Sequence, residues 1–152
     1  MQTTTHSDNE TKELGKKIAT QLKGGDIVCL YGELGSGKTT LVKGLAEGLG
    51  IKEDITSPTF TLMNIYKISN IKYLRDPARD GAISTLVHID TYRLKNEQEL
   101  IQIGVEDYLG QPDTITIIEW PEKVEGLLKD KKIIKITLEH GTNSERTITK
   151  LS

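Results

Sequence analysis

Between Gly32 and Thr39 the chain reads Gly-Glu-Leu-Gly-Ser-Gly-Lys-Thr, which fits the pattern G-x-x-x-x-G-K-[ST]. Few eight-residue stretches constrain a fold as tightly. Such a loop wraps phosphate only if a buried strand delivers it, a helix leaves it, and backbone N–H groups converge on the anion. A turn that tight has no room for Cβ atoms, which accounts for Gly32, Gly35 and Gly37. Lys38 brings a point charge to the β- and γ-phosphates, and Thr39 a hydroxyl to a Mg²⁺ ion. The flanks agree. Ile27-Val28-Cys29-Leu30-Tyr31 is a continuous apolar run of the kind a central parallel strand carries. After Lys38, Leu41, Leu45 and Leu49 recur at helical spacing, and Gly50 stands where that helix would stop. A phosphate at its start would also meet the positive end of the helix dipole.

A length of 152 residues predicts one domain spanning residues 1–152, large enough for a three-layer core. Twenty basic against 22 acidic residues leave a net charge of −2, so no basic surplus is available to bind nucleic acid by charge alone. No apolar run approaches the 18 or so residues of a membrane span. The polar start, Met1 to Ser7, lacks the apolar stretch of a signal peptide, and the chain reads as cytoplasmic. Cys29 is the single cysteine, so it forms no internal disulfide and reads as a small core residue. His6, His88 and His140 are scattered without metal-ligand spacing.

Ser7-Asp8-Asn9-Glu10 has the form of a capping box, followed by a helical face of Leu14, Ile18 and Leu22 that ends at Gly24-Gly25. Ser57-Pro58-Thr59 supports two readings. One is a turn with polar filler; the other is a switch whose Thr59 hydroxyl approaches the γ-phosphate or its metal. The extended run behind it puts Phe60, Leu62, Asn64 and Tyr66 on one face and Thr61, Met63 and Ile65 on the other. Residues 67–84 read as an inserted polar loop: either a solvated excursion or a lid whose Arg75 or Arg79 touches phosphate. Leu86-Val87-His88-Ile89-Asp90 is a second buried-strand pattern, and Thr114-Ile115-Thr116-Ile117-Ile118-Glu119 a third. Both end in a carboxylate. Carboxyl ends of strands face the ligand crevice in a doubly wound sheet, so Asp90 and Glu119 are candidates for metal binding and water activation. His88 shares the face of Asp90 and reads as a hydrogen-bonded structural residue; Glu119 could alternatively serve the dipole of the next helix. Asn96 to Glu99 forms a second capping-box pattern before a helix ending at Gly104, and Pro121 suits a helix N1 position. Residues 131–140 and 146–149 read as an antiparallel hairpin. The fold expected is α/β, a three-layer P-loop NTPase-like arrangement with a mostly parallel central sheet and an antiparallel C-terminal hairpin.

Four stretches now stand in one order: Gly32–Thr40, Ser57-Pro58-Thr59-Phe60, His88-Ile89-Asp90-Thr91-Tyr92-Arg93-Leu94 and Ile118-Glu119-Trp120-Pro121-Glu122. In these the chain resembles the TsaE (formerly YjeE) family, small P-loop ATPases of bacterial tRNA threonylcarbamoyladenosine biosynthesis. The resemblance implies an ATPase that binds and hydrolyses Mg-ATP inside a complex. Its partners would be the threonylcarbamoyl-transferase subunit and that subunit's inactive paralogue, of the TsaD and TsaB types, acting on adenosine 37 of tRNA; tRNA is met only through the complex. By position, Gly35, Ser36, Gly37, Lys38, Thr39 and Thr40 correspond to the ATP-phosphate segment, and Thr39 and Glu119 to the Mg²⁺-associated pair. Lys38, Asp90 and Glu119 are the implied catalytic set. Asp90 matches the Walker B-type acid and Ser57–Thr59 the switch; Thr11 matches a threonine near the adenine, and Arg146 an arginine near the base. Trp120 and Glu122 flank the Mg²⁺ acid. Two departures stand out: the long segment between the switch strand and the His88–Asp90 strand, and Thr91 where a bulky apolar residue is usual.

A small-molecule or nucleotide kinase is the competing reading, with Arg75 and Arg79 as a lid, although 152 residues leave little room for an acceptor site. A regulatory GTPase would carry N-K-x-D after the third strand, and the chain does not.

Overall fold

Ile27, Val28, Cys29 and Leu30 are all buried, and a strand buried on both faces must have sheet on either side and helices above and below it. The structure, a computed structural model, describes residues 1–69 and 82–151. In chain order the regular elements are β1 (Gln2–Thr5), α1 (Asp8–Ala19), β2 (Ile27–Tyr31), α2 (Lys38–Gly48), β3 (Met63–Lys67) and β4 (Thr85–Asp90). Then follow α3 (Gln98–Gln102), β5 (Thr114–Glu119), α4 (Glu125–Leu128), β6 (Ile133–His140) and β7 (Arg146–Leu151). The described strands form one seven-stranded sheet in the order β1-β7-β6-β2-β5-β4-β3. Its centre, β6-β2-β5-β4, is parallel. Both margins are antiparallel: β3 on β4 at one end, β7 on β6 and β1 on β7 at the other. The expected parallel centre and C-terminal hairpin are therefore present.

Alternation along the strands separates two cores. Val28, Leu30, Leu86, Ile117, Ile136 and Leu138 face α1 and α2. Ile27, Cys29, Val87, Ile89 and Ile118 face Leu100, Val105, Leu109, Val124 and Leu128. Helices α1 and α2 meet backbone to backbone. A Cβ on Gly44 would lie 2.2 Å from the Lys12 carbonyl oxygen, and one on Gly15 would lie 2.7 Å from that of Leu41. Glycine is required at both positions by that approach. Among the described residues no helix is long and apolar enough to cross a membrane.

Local signals held unevenly. Ser7 caps α1 as expected, its Oγ accepting from Glu10 N at 3.1 Å, but the Glu10 carboxylate accepts from His6 N (2.8 Å), one residue before the cap. The second capping box does not form. The N-cap of α3 falls one residue past the expected Asn96, at Glu97, which makes no side-chain cap bond; the Glu97 carboxylate instead accepts from Gly126 N at 2.8 Å and ties down α4. The extended run begins only at Met63, because Leu62 adopts φ 67° and its N–H closes a turn onto Pro58 O (2.6 Å). Leu62 thus packs in the second core and Tyr66 in the first, not on one face as expected. Strand β1 was not anticipated; its threonines suit a strand, but its polar pattern gives no periodicity to read. Lys67 belongs to β3 rather than to the inserted loop, and Arg75 and Arg79 lie outside the described residues.

Candidate functional site

The loop from Gly32 to Gly37 leaves the end of β2 and enters α2 through Gly37, which caps the helix at φ 98° without a side-chain bond. Gly35 also sits in the left-handed region (φ 77°), where an L side chain is strained. Lys38 is almost fully buried. Its Nζ donates to Gly32 O and to Glu33 O (3.0 Å) and lies 4.4 Å from the Trp120 ring centroid. Burial pushes the Lys38 pKa down, opposed chiefly by the carboxylates of Glu119, Asp90 and Glu122. A cation folded onto its own loop and a half-enclosing ring has a strong motive to meet an anion.

The two strand-end acids are neighbours. Asp90 pairs in register with Glu119, and Glu119 with Leu30, at the carboxyl ends of β4, β5 and β2. Both are buried. Asp90 Oδ1 accepts from Tyr92 N (2.9 Å), while Oδ2 accepts from Thr59 Oγ1 (3.0 Å) and Ser57 Oγ (3.4 Å). The hydroxyls of Ser57 and Thr59 are themselves 2.7 Å apart. Ser57 and Thr59 are therefore side chains held on the acid, not polar filler. Glu119 Oε2 lies 2.8 Å from His88 Nε2.

These groups line one cavity of about 390 Å³, within the range of small-molecule sites. Gly35, Gly37, Lys38, Thr39, Thr40, Ser57, Thr59, Asp90, Glu119 and Arg146 all contribute to it. Trp120, Tyr92, Arg93 and Asp8 contribute as well. Arg146 arrives from β7 and lies across Gly37, its Nε 3.4 Å from where a Cβ would stand. Its guanidinium donates to His140 Nδ1 (2.9 Å) and Glu145 O (3.0 Å).

Three expected residues do not line it. Thr11 is buried, and its hydroxyl is engaged with Thr5 Oγ1 (2.7 Å) and Ser7 O (3.2 Å). It joins α1 to β1; Asp8, at the start of the same helix, is the residue that reaches the cavity. Ser36 turns its side chain inward and is buried, and Glu122 is exposed. Two contacts beside the acids have no signal in the sequence. Tyr92 stacks on Trp120 (5.1 Å between centroids), and Trp120 holds φ 58°. Thr91, the odd residue of its stretch, has its hydroxyl between Glu119 O (3.1 Å) and Trp120 O, which share its one proton and bind the end of β4 to the end of β5. A polar side chain there is fully buried because both carbonyls satisfy it.

Residues 5–148 match the family model described as Threonylcarbamoyl adenosine biosynthesis protein TsaE. The chain belongs to the TsaE family. It is 38% identical over 138 residues to the tRNA threonylcarbamoyladenosine biosynthesis protein TsaE of Streptomyces coelicolor, across 88% of this chain and 83% of that one. The Bacillus subtilis protein of the same name is 36% identical, across 95% and 81%. The crystal structure of Bacillus subtilis YdiB superimposes with a TM-score of 0.68 at 30% identity, covering 99% of this chain and 83% of that one.

For a TsaE chain the implied groups are ATP and Mg²⁺, and the donor set fits both. Positive-φ glycines, the helix start and a retracted lysine suit a phosphate chain. Thr39, Asp90 and Glu119 offer hard oxygen donors on the same cavity. Among the described residues no cluster of three or more His, Cys, Asp or Glu could hold a metal unaided. Mg²⁺ needs none, since it is commonly held by one or two protein oxygens together with substrate phosphates and water.

Proposed function

We propose that this chain binds Mg-ATP in the Lys38 cavity and hydrolyses it as the ATPase subunit of tRNA N6-threonylcarbamoyladenosine formation. It works in the cytoplasm within a complex with TsaD-type and TsaB-type subunits, and tRNA reaches it only through them. The names carried by the S. coelicolor and B. subtilis relatives support the pathway. The observation that carries the chemistry is the in-register pair Asp90 and Glu119 opening on the same cavity as Lys38 and Thr39.

Lys38 leaves the carbonyls of Gly32 and Glu33 for the β- and γ-phosphates, and the N–H groups of Gly35 to Thr40 surround the remaining oxygens. Thr39 and Glu119 would hold Mg²⁺, which would supply positive charge against the charge that develops on the phosphates. Asp90, freed of Ser57 and Thr59, accepts a hydrogen bond from the attacking water and aligns it with the γ-phosphorus. The new P–O bond forms as the bond to the β-phosphate oxygen breaks, and the proton lost by the water is carried off on the released phosphate, giving ADP and inorganic phosphate. Arg146 lies across the loop where a base would leave the phosphates.

The test is phosphate release from ATP, with no acceptor added, by this chain alone and with both partner subunits. Slow release alone and a rise of about 10³–10⁵ in the complex are expected if partners complete the site. Full-rate hydrolysis by the isolated chain, indifferent to the subunits, would refute the complex-dependent ATPase.

A further inference from the structure

His88 occupies a strand position where valine or isoleucine would pack without polar atoms, yet it is wholly buried on β4. Its Nε2 lies 2.8 Å from Glu119 Oε2, and a carboxylate only accepts, so Nε2 carries the hydrogen of this bond. Nδ1 is buried too and finds no hydrogen-bond partner among the described residues. The imidazole's one polar engagement is therefore with Glu119. The Glu119 carboxylate, in turn, has no other hydrogen-bond partner among the described residues, and its Oε1 is left free. A buried polar ring with one idle nitrogen is a poor space-filler, since each buried polar atom loses water. It is a good clamp for one oxygen of a carboxylate. Register supplies the geometry: His88 pairs with Ile117, two residues before Glu119 on the same face, so the ring reaches diagonally to it.

We infer that His88 is a positioning residue that fixes the Glu119 carboxylate through Oε2, so that Oε1 is presented to the divalent cation of Mg-ATP. The inference rests on the nucleotide reading above. Partners of metal-binding carboxylates contribute by orientation, and removing one typically lowers metal affinity about 10- to 100-fold. His88 touches neither phosphate nor cation itself.

The experiment measures ATP affinity by calorimetry, with Mg²⁺ and with EDTA, for the parent chain, His88→Gln and His88→Asn. A glutamine amide places its nitrogen near the Nε2 position, whereas asparagine is too short to reach Glu119. His88→Asn should lose about 10- to 100-fold in affinity with Mg²⁺ and little with EDTA, and His88→Gln should stay close to the parent. An Asn variant that keeps the Mg²⁺ dependence, or loses affinity equally in EDTA, overturns the positioning role; so does a Gln variant as weak as Asn. A parent whose ATP affinity ignores Mg²⁺ overturns the nucleotide reading and this inference together, which separates the two failures. Should either variant fold poorly, the intact protein still decides. With three histidines in the chain, imidazole ¹⁵N–¹H spectra should place the His88 proton on Nε2 with and without Mg-ATP, and a proton on Nδ1 alone would refute the clamp.

Discussion

Lys38 is a cation held in a place that disfavours it, and this has a pH signature. Burial lowers its pKa from the ordinary lysine value of 10.5, and a bound triphosphate would raise it again. Affinity gained from the charged lysine is complete below the pKa of the free protein, begins to fall there, and is lost as pH rises through the higher pKa of the complex. ATP affinity should therefore weaken on the alkaline side at a lower pH than a solvated lysine would give, and stay flat there in Lys38→Ala at a much weaker level; calorimetry across pH reads both. Unchanged ATP binding by a folded Lys38→Ala chain would contradict the site. The acids separate from the lysine by kinetics. Asp90→Asn and Glu119→Gln, assayed in the assembled complex, should cut hydrolysis by about 10²–10³ with a smaller effect on nucleotide affinity, as losing one aimed electrostatic contact does. Parent-like rates in both would remove them from the mechanism. The loop, its lysine and the two strand-end acids were legible because each is a local pattern with a chemical reason. His88 also reads correctly as a hydrogen-bonded residue, but its partner and those of Thr91 do not, since they lie across the sheet at Glu119 and Trp120 and only register brings them together.

At the scale of elements, the phosphate loop is braced by the contact of α1 with α2 rather than by its own hydrogen bonds alone. Gly44 and Gly15 let the two helices touch through their backbones, and a methyl at Gly44 would fall 2.2 Å from the Lys12 carbonyl oxygen. Gly44→Ala should destabilise the fold by about 1–3 kcal/mol, as overpacking does, and chemical denaturation measures it. Unaltered stability would mean that the helices part freely. Element ends are legible in the sequence where a cap or a glycine stop acts alone, as at Ser7 and Gly50. They are not where another element claims the side chain. The cap expected at Asn96 is displaced to Glu97, whose carboxylate serves the N–H groups of α4, and the Thr11 hydroxyl is taken up by Thr5 of β1.

For the whole molecule, the antiparallel margins leave the cavity where β4, β5 and β2 end side by side, and the sequence held no signal for the outer strand β1 that borders Arg146. The central strand also sets a timetable. β2 pairs with β5 on one side and β6 on the other, so the strand that delivers the phosphate loop stays unflanked until residues 114–140 have been made. Its pairings are all between distant parts of the chain, and such contacts form late. A chain still emerging from the ribosome thus holds every loop residue yet lacks Glu119 beside Leu30, and has no chemistry to misdirect. Folding itself would then be the first gate on the ATP hydrolysis proposed for this chain.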